Sequence, residues 1–226
     1  ANSLLARIGA YYHDVGKTEH PEYFVENQSH LKSRHDRLSP SMSALVIETH
    51  VKRGKELALE HDLPDAVIDF IEQHHGTTTM SFFYRKAQQQ HPDEKIAEEE
   101  FRYPGPRPQT RETAIVMLAD STEAVTRTLD DPKPGRLQET IHKVITDKFL
   151  DGQLEECNLT LTDLHKIEES FLQLLLGVFH QRIDYPSPLE PIPEEEQTET
   201  GPKSSPARSD NGVAVAHPRG VQRPSV

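Results

Sequence analysis

Apolar residues in this chain recur at intervals of three and four, and no convincing strand-like alternation with polar ones appears. The clearest case is Leu164, Ile167, Phe171, Leu174, Leu175 and Val178, the stripe of one amphipathic helix. A chain with only this periodicity offers no half-buried strand. The expected fold class is therefore all-α, a helical bundle closed by its apolar stripes.

Caps and breaks divide the pattern. Residues 2–14 read as the end of a buried helix with Leu4, Leu5, Ile8, Ala10 and Tyr11 as its apolar positions and Gly16 as its stop. Residues 18–38 are charged and carry Pro21, Asn27 and Ser29, so they read as a loop. Ser39-Pro40 opens the next helix, serine as cap and proline at the first position. Met42, Val46, His50 and Leu57 follow on or near one face, which turns His50 inward. Leu63-Pro64 opens a helix with Val67, Ile68 and Ile71 as its stripe. His74 and His75 lie three and four residues after Ile71, and Gly76 ends the helix.

Further along, residues 81–90 read as a short helix and 91–109 as a polar loop ending in Phe101-Arg102-Tyr103-Pro104-Gly105-Pro106. Thr110 or a neighbour starts a helix over Glu112 to Leu129. Its inner face is Ala114, Met117, Leu118, Ser121 and Val125, with Asp120 beside it. Residues 130–135 break the chain, Arg136 to Leu150 form another helix, and Thr160-Leu161-Thr162-Asp163 is a capping-box-like start for the last one. Residues 187–226 are rich in Pro, Glu, Ser and Gly and bury too little to offset ordering entropy, so they are expected to be a disordered tail. One domain over 1–186 is the expected organisation.

The net charge of −12 argues against DNA or RNA as partner, since non-specific nucleic-acid binding needs basic surface. It leaves room for a small nucleotide held through metal ions, which bring their own positive charge. The single cysteine, Cys157, gives neither an internal disulfide nor a cysteine-based zinc site. No run approaches the length of a membrane helix, so a soluble chain without membrane contact of its own is expected. The first residue is not Met and helical patterning begins at once, which reads as a piece of a longer chain lacking its first helix.

The chemistry gathers on polar residues that this pattern turns inward: His13, Asp14, His50, His74, His75 and Asp120. Taken singly, each has a bland reading, as a hydrogen-bonded core histidine, a helix-end charge or a carboxylate paired with an arginine. Together they come from four helices, and burying them separately without partners is costly. A shared metal site removes that cost. Two other His-Asp pairs, His35-Asp36 and His61-Asp62, serve as internal controls; they sit in polar surroundings and neither is followed by Gly-Lys. In the first pair, Gly16-Lys17 follows within three residues, and Lys17 offers a charge suited to phosphate.

The order His-Asp-x-Gly-Lys, then His, then His-His-Gly, then a helical Asp resembles the HD-domain phosphohydrolases. It is most similar to the intracellular HD domain of the seven-transmembrane HD-hydrolase family, the PgpH-type cyclic di-AMP phosphodiesterases, over residues 2–186. The stretches that carry the resemblance include Leu5 to Lys17, Leu38 to Val51, Ile68 to Thr77, Phe101 to Thr110, Ile115 to Ala124 and Asp151-Gly152-Gln153-Leu154. The resemblance implies two divalent metal ions, Fe or Mn, bridged by Asp14. One would take Asp14, His50, His74 and His75; the other His13, Asp14, Asp120 and a further histidine one helix upstream. No histidine stands among the twelve residues before His13, the one departure from the family's pattern.

The implied reaction is hydrolysis of cyclic di-AMP to the linear dinucleotide by a metal-activated water, with Lys17 stabilising phosphate charge and Lys17, Asn27, Arg102 and Tyr103 contacting substrate. The implied parent is membrane-anchored, with this part on the cytoplasmic side. Cyclic di-GMP, a nucleoside monophosphate or an alarmone are alternative substrates, and a non-catalytic sensing module is an alternative class. A homodimer is left open.

Overall fold

Helix starts sit where side chains can satisfy the first free amides. Asn2 Oδ1 accepts from the amides of Leu4 and Leu5 at 3.1 and 3.2 Å. Ser39 caps the next helix through the amide of Met42, and Thr110 and Thr113 cap each other reciprocally. Thr160 and Asp163 do the same for the last helix. Each such cap is worth about 1 kcal/mol.

The structure is a computed structural model that describes residues 1–24, 27, 33–130 and 132–180. Among the described residues there are seven α-helices: α1 (Ser3–Tyr12), α2 (Pro40–Glu60), α3 (Asp65–Gln73), α4 (Ser81–Gln90), α5 (Arg111–Thr126), α6 (Pro134–Leu150) and α7 (Leu161–His180). Strand-like pairing among them is limited to one isolated antiparallel bridge, Thr79 with Arg102. This matches the all-α expectation. Single 3-10 turns at Pro21–Tyr23 and Arg34–Arg37 break up the predicted 18–38 loop, and others lie at Val15–Thr18 and Glu98–Phe101. The predicted tail over 187–226, and the domain's last stretch from 181, lie outside the described residues.

α1 packs on α3 and α5, and α2 packs on α3 and α4. Between α5, α6 and α7 lies an apolar cluster of Ala114, Leu118, Ile141, Ile145, Leu154, Cys157 and Leu164. A second, around α2 and α4, joins Ala44, Met80, Ala87 and Phe101. No helix among the described residues is long and apolar enough to cross a membrane.

Four details of the sequence reading are corrected. In α1, Gly9 is the buried residue, while Leu4 and Tyr11 are 65% and 76% exposed. The glycine lies directly on the Phe70 ring, so backbone rather than a wide apolar stripe makes the contact. In α2 the buried face is built from small residues, Ser43, Ala44, Gly54 and Ala58, with His50 and Val51, and Met42 points outward. In α5 the inner face is Thr113, Ala114, Val116, Met117, Leu118, Thr122 and Thr126, whereas Val125 is exposed and Ser121 half-buried. Threonine replaces the expected apolar positions because Thr126 returns its hydroxyl bond to the Thr122 carbonyl one turn back. Finally, His35 is buried rather than in polar surroundings: its ring lies between Tyr23 and Phe83, and its Nε2 bonds the Tyr23 carbonyl.

Candidate metal centre

Gly16 is not the stop of α1, which ends at Tyr12 with His13 as its cap. Its function is close approach. A Cβ there would stand 1.9 Å from the carbonyl oxygen of His50 and 2.5 Å from the amide of Gly54. Only a glycine lets the Val15–Thr18 turn lie directly on α2. That contact sets Asp14, at the head of the turn, against His50. α3 ends at Gln73, so His74 and His75 follow on its C-terminal cap, and Gly76 then turns the chain with φ +56°. Asp120 comes from the middle of α5.

The ring orientations follow from the backbone. His13 Nδ1 donates to the Ala10 carbonyl at 2.9 Å, His50 Nδ1 to that of Ile47, and His74 Nδ1 to those of Phe70 and Ile71 at 3.1 and 2.9 Å. A carbonyl can only accept, so Nδ1 carries a hydrogen in each ring, and Nε2 is the atom left to present a lone pair once the ring is neutral. Those lone pairs converge. His50 Nε2 and His74 Nε2 are 3.3 Å apart. Asp14 Oδ1 lies 3.4 Å from the first and 3.6 Å from the second. His13 Nε2 is 3.2 Å from Asp14 Oδ2 and 3.7 Å from Asp120 Oδ1. His75 Nδ1 stands 3.9 Å from Asp120 Oδ2.

Lone pairs and anionic oxygens facing one another repel unless a cation sits among them. The buried atoms His13 Nε2 and Asp14 Oδ1 lack hydrogen-bond partners of proper geometry. Asp14, His50, His74 and His75 bring one donor atom each within 4.8 Å of one another, and so do His13, Asp14 and Asp120. Imidazole and carboxylate without thiolate is a donor set that suits Fe, Mn or Zn, and the residues present therefore fit a metal. All six inward residues of the sequence reading are thus brought together.

Electrostatics agree with a cation-seeking site. Burial opposes charge on His13, yet the Asp120 and Asp14 carboxylates outweigh it and raise its pKa to about 10. A proton there substitutes for a cation. Burial also works against ionised Asp14, but the histidines beside it hold its carboxyl far below the usual range. Burial, with His74 nearby, pushes His50 down to about 4 and His75 well below its usual value, so both stay neutral and able to ligate.

The substrate-contact expectations separate. Lys17 Nζ lies 2.7 Å from Asp14 Oδ2, and Tyr103 stacks on His75 with ring centroids 4.1 Å apart. Arg102 is engaged elsewhere: it clasps Asp151, Glu98 and the Thr77 carbonyl. Asn27 is exposed, its amide bonded to the Phe24 carbonyl, and it lines none of the clefts around the cluster. Sequence reasoning missed Gln153. It is fully buried, accepts from the Thr77 amide at 2.9 Å and donates to Asp151 Oδ2 at 2.8 Å, pinning the loop that follows His75. It lies in one of the stretches that carry the resemblance, but a lone glutamine has no spacing signature.

Three clefts of about 850, 800 and 630 Å³ meet at Asp120. The first has Lys17 on its wall. The second is lined by His75, Thr78, Ser121 and Lys148, and the third by Lys17, Phe24, His35, Phe83 and Tyr103.

A sequence model of the HD domain matches residues 1–125. The chain is 47% identical over 186 residues to the cyclic-di-AMP phosphodiesterase PgpH of Bacillus subtilis (strain 168), a match covering 82% of this chain and 26% of that protein. It is 46% identical, with the same coverage, to the cyclic-di-AMP phosphodiesterase PgpH of Listeria monocytogenes serotype 1/2a (strain 10403S). The chain thus spans about a quarter of the length of these curated relatives. Its fold matches the crystal structure of the L. monocytogenes phosphodiesterase PgpH HD domain in complex with cyclic-di-AMP. The TM-score is 0.76 at 44% identity, covering 79% of this chain and 82% of that one.

Proposed function

This chain belongs to the HD-domain family, and on that premise we propose that it is the hydrolytic part of a metal-dependent phosphodiesterase that opens cyclic di-AMP to the linear dinucleotide. The observation that carries this reading is the convergence of the His13, His50 and His74 Nε2 lone pairs on the carboxylates of Asp14 and Asp120. The relatives named as cyclic-di-AMP phosphodiesterases, and the matching domain crystallised with that nucleotide, support the choice of substrate.

In this reading Asp14, His50, His74 and His75 hold one divalent ion and His13, Asp14 and Asp120 the other, Fe or Mn in each case. Such a pair, when bound, lowers the pKa of a water and neutralises charge on phosphate oxygens. The chain's own groups do the rest. The three Nδ1–H bonds to backbone carbonyls lock the rings so that Nε2 faces the site. Lys17, beside Asp14, offers its ammonium to a non-bridging phosphate oxygen. Tyr103 fixes the plane of His75 by stacking on it. Phe24, His35 and Phe83 wall a cleft that suits the face of a purine. Arg102 acts at one remove, by holding the Thr77 carbonyl, two residues beyond His75. The resemblance also implies a membrane-anchored parent with this domain on the cytoplasmic side.

A second reading, a nucleotide- or metal-sensing module without turnover, is favoured by one observation. The His13 set counts three donors among the described residues against four in the other. Chromatography of cyclic di-AMP incubated with the manganese-loaded full-length protein decides between them, with Asp14→Ala as control and cyclic di-GMP as competing substrate. Linear product formed by the native protein and absent with Asp14→Ala is the expected result. Bound nucleotide without product establishes the sensor.

A further inference from the structure

The second of the three clefts holds a cation that the mechanism above does not use. Lys148, in the last turn of α6, directs its ammonium to Thr78 Oγ1 at 2.7 Å, three residues beyond His75. Three of the cleft's four carboxylates are paired with other cations, and the fourth, Asp120, belongs to the metal centre. Glu98 and Asp151 pair with Arg102 at 2.8 and 2.9 Å, and Asp147 pairs with Lys143 at 2.7 Å. None pairs with Lys148 among the described residues. Asp120 and Asp151 favour its charge from a distance, but a largely buried ammonium whose direct partner is a neutral oxygen is still costly, and an anion beside it lowers the cost. Burial lowers its pKa to about 8, which leaves it charged at neutral pH. His75 and Asp120 line the same cleft, so this charge and the metal centre face one space of about 800 Å³.

A cyclic dinucleotide carries two phosphodiester groups in one ring. When one lies at Asp14 and Asp120, the other must meet the protein nearby. We propose that Lys148, with the hydroxyls of Thr78 and Ser121 on the same wall, is the subsite for the phosphodiester that is not being cleaved. The inference rests on the cyclic-dinucleotide reading above. It assigns Lys148 a binding role that selects substrates with a second phosphate, whereas Lys17 serves the scissile one.

The test compares two substrates on the manganese-loaded full-length protein: cyclic di-AMP, and bis(p-nitrophenyl) phosphate, which has one phosphodiester only. Lys148→Gln keeps a donor for Thr78 and removes the charge; Lys148→Arg keeps the charge. The expected result for Lys148→Gln is a drop of about tenfold or more in the ratio of kcat/KM for cyclic di-AMP to that for the single diester. The drop appears in KM and is largely restored by Lys148→Arg. An unchanged ratio overturns the inference, whether both activities fall together, as for a latch that merely holds the His75 loop, or neither falls. Because the readout is a ratio, a partly destabilised variant still reports it. A native protein that cleaves the single diester but not the cyclic dinucleotide overturns the substrate reading, and a native protein inactive on both overturns the enzyme reading. Either result differs from a native protein active on both whose ratio ignores Lys148.

Discussion

Substituting Gly16 by alanine tests how Asp14 is brought to the histidines. The added Cβ would sit 1.9 Å from the His50 carbonyl oxygen, where ordinary contact begins at 3.4 Å, and backbone rather than a pliable side chain is what it meets. The Val15–Thr18 turn must therefore retreat from α2 by about 1.5 Å, the difference between those two distances. Overpacking of this kind costs about 1–3 kcal/mol. For a domain of this size that lowers Tm by roughly 2–12 °C. The functional effect is larger, because Asp14 Oδ1 now lies 3.4 Å from His50 Nε2 and a retreat of that size takes it out of any common coordination sphere. Differential scanning calorimetry and metal analysis after manganese loading provide the assay. The expected outcome is a lowered Tm together with loss of most bound manganese. Gly135→Ala, at a site with nothing within 4 Å of the new Cβ, is the control and should change neither. Gly16→Ala with native Tm and full metal content would refute the close-approach argument.

Other outcomes follow from the same geometry. In metal-free protein, His50 has a folded pKa of about 4 against an ordinary 6.5, so the unfolded state binds the extra proton between them and stability is lost as pH falls from 6.5 toward 4. His13 has the opposite sign: its folded pKa of about 10 gives stability that is complete below 6.5 and lost as pH rises toward 10. Thermal melts across pH should show a maximum near neutrality, with His50→Ala flattening the acid limb and His13→Ala the alkaline one. Gln153→Ala leaves the Thr77 amide without its partner and should cost about 1–3 kcal/mol in urea titrations. Arg102→Ala should lower the urea midpoint by removing the clasp on Asp151 and Glu98, and Arg102→Lys should restore it only partly, since an ammonium cannot reproduce the forked contact.

Much of the site was legible because its residues sit at punctuation marks. Ser39-Pro40, Thr110 and the Thr160–Asp163 pair announce helix starts, and His74-His75-Gly76 announces a helix end. What hid was contact made by backbone or by small residues. Gly9 on Phe70 and Gly16 on α2 carry no hydrophobic signal, so α1 looked like an ordinary apolar stripe with Tyr11 inward. Ser43, Ala44, Gly54 and Ala58 bury a face that the larger Met42 seemed to mark. His35 looked like a surface control because its burial depends on Tyr23 and Phe83, twelve and forty-eight residues away. Lys148 near a helix C-terminus reads as a dipole partner. Nothing in its neighbours shows that the loop after His75 folds over it. Arg102 was expected at the nucleotide, yet its three acceptors come from Thr77, Glu98 and Asp151, which only the fold assembles.

Nε2 of His13, His50 and His74 and the carboxylates of Asp14 and Asp120 are arranged for a cation. The most direct measurement is calorimetric titration of manganese into chelator-stripped protein in two buffers of different ionisation enthalpy. Saturable binding with release of protons is predicted, since His13 must give up its proton to ligate, and Asp14→Ala should abolish it while the far-ultraviolet circular dichroism stays helical. Manganese bound equally well by folded Asp14→Ala protein, or no binding by the native chain, would contradict the account.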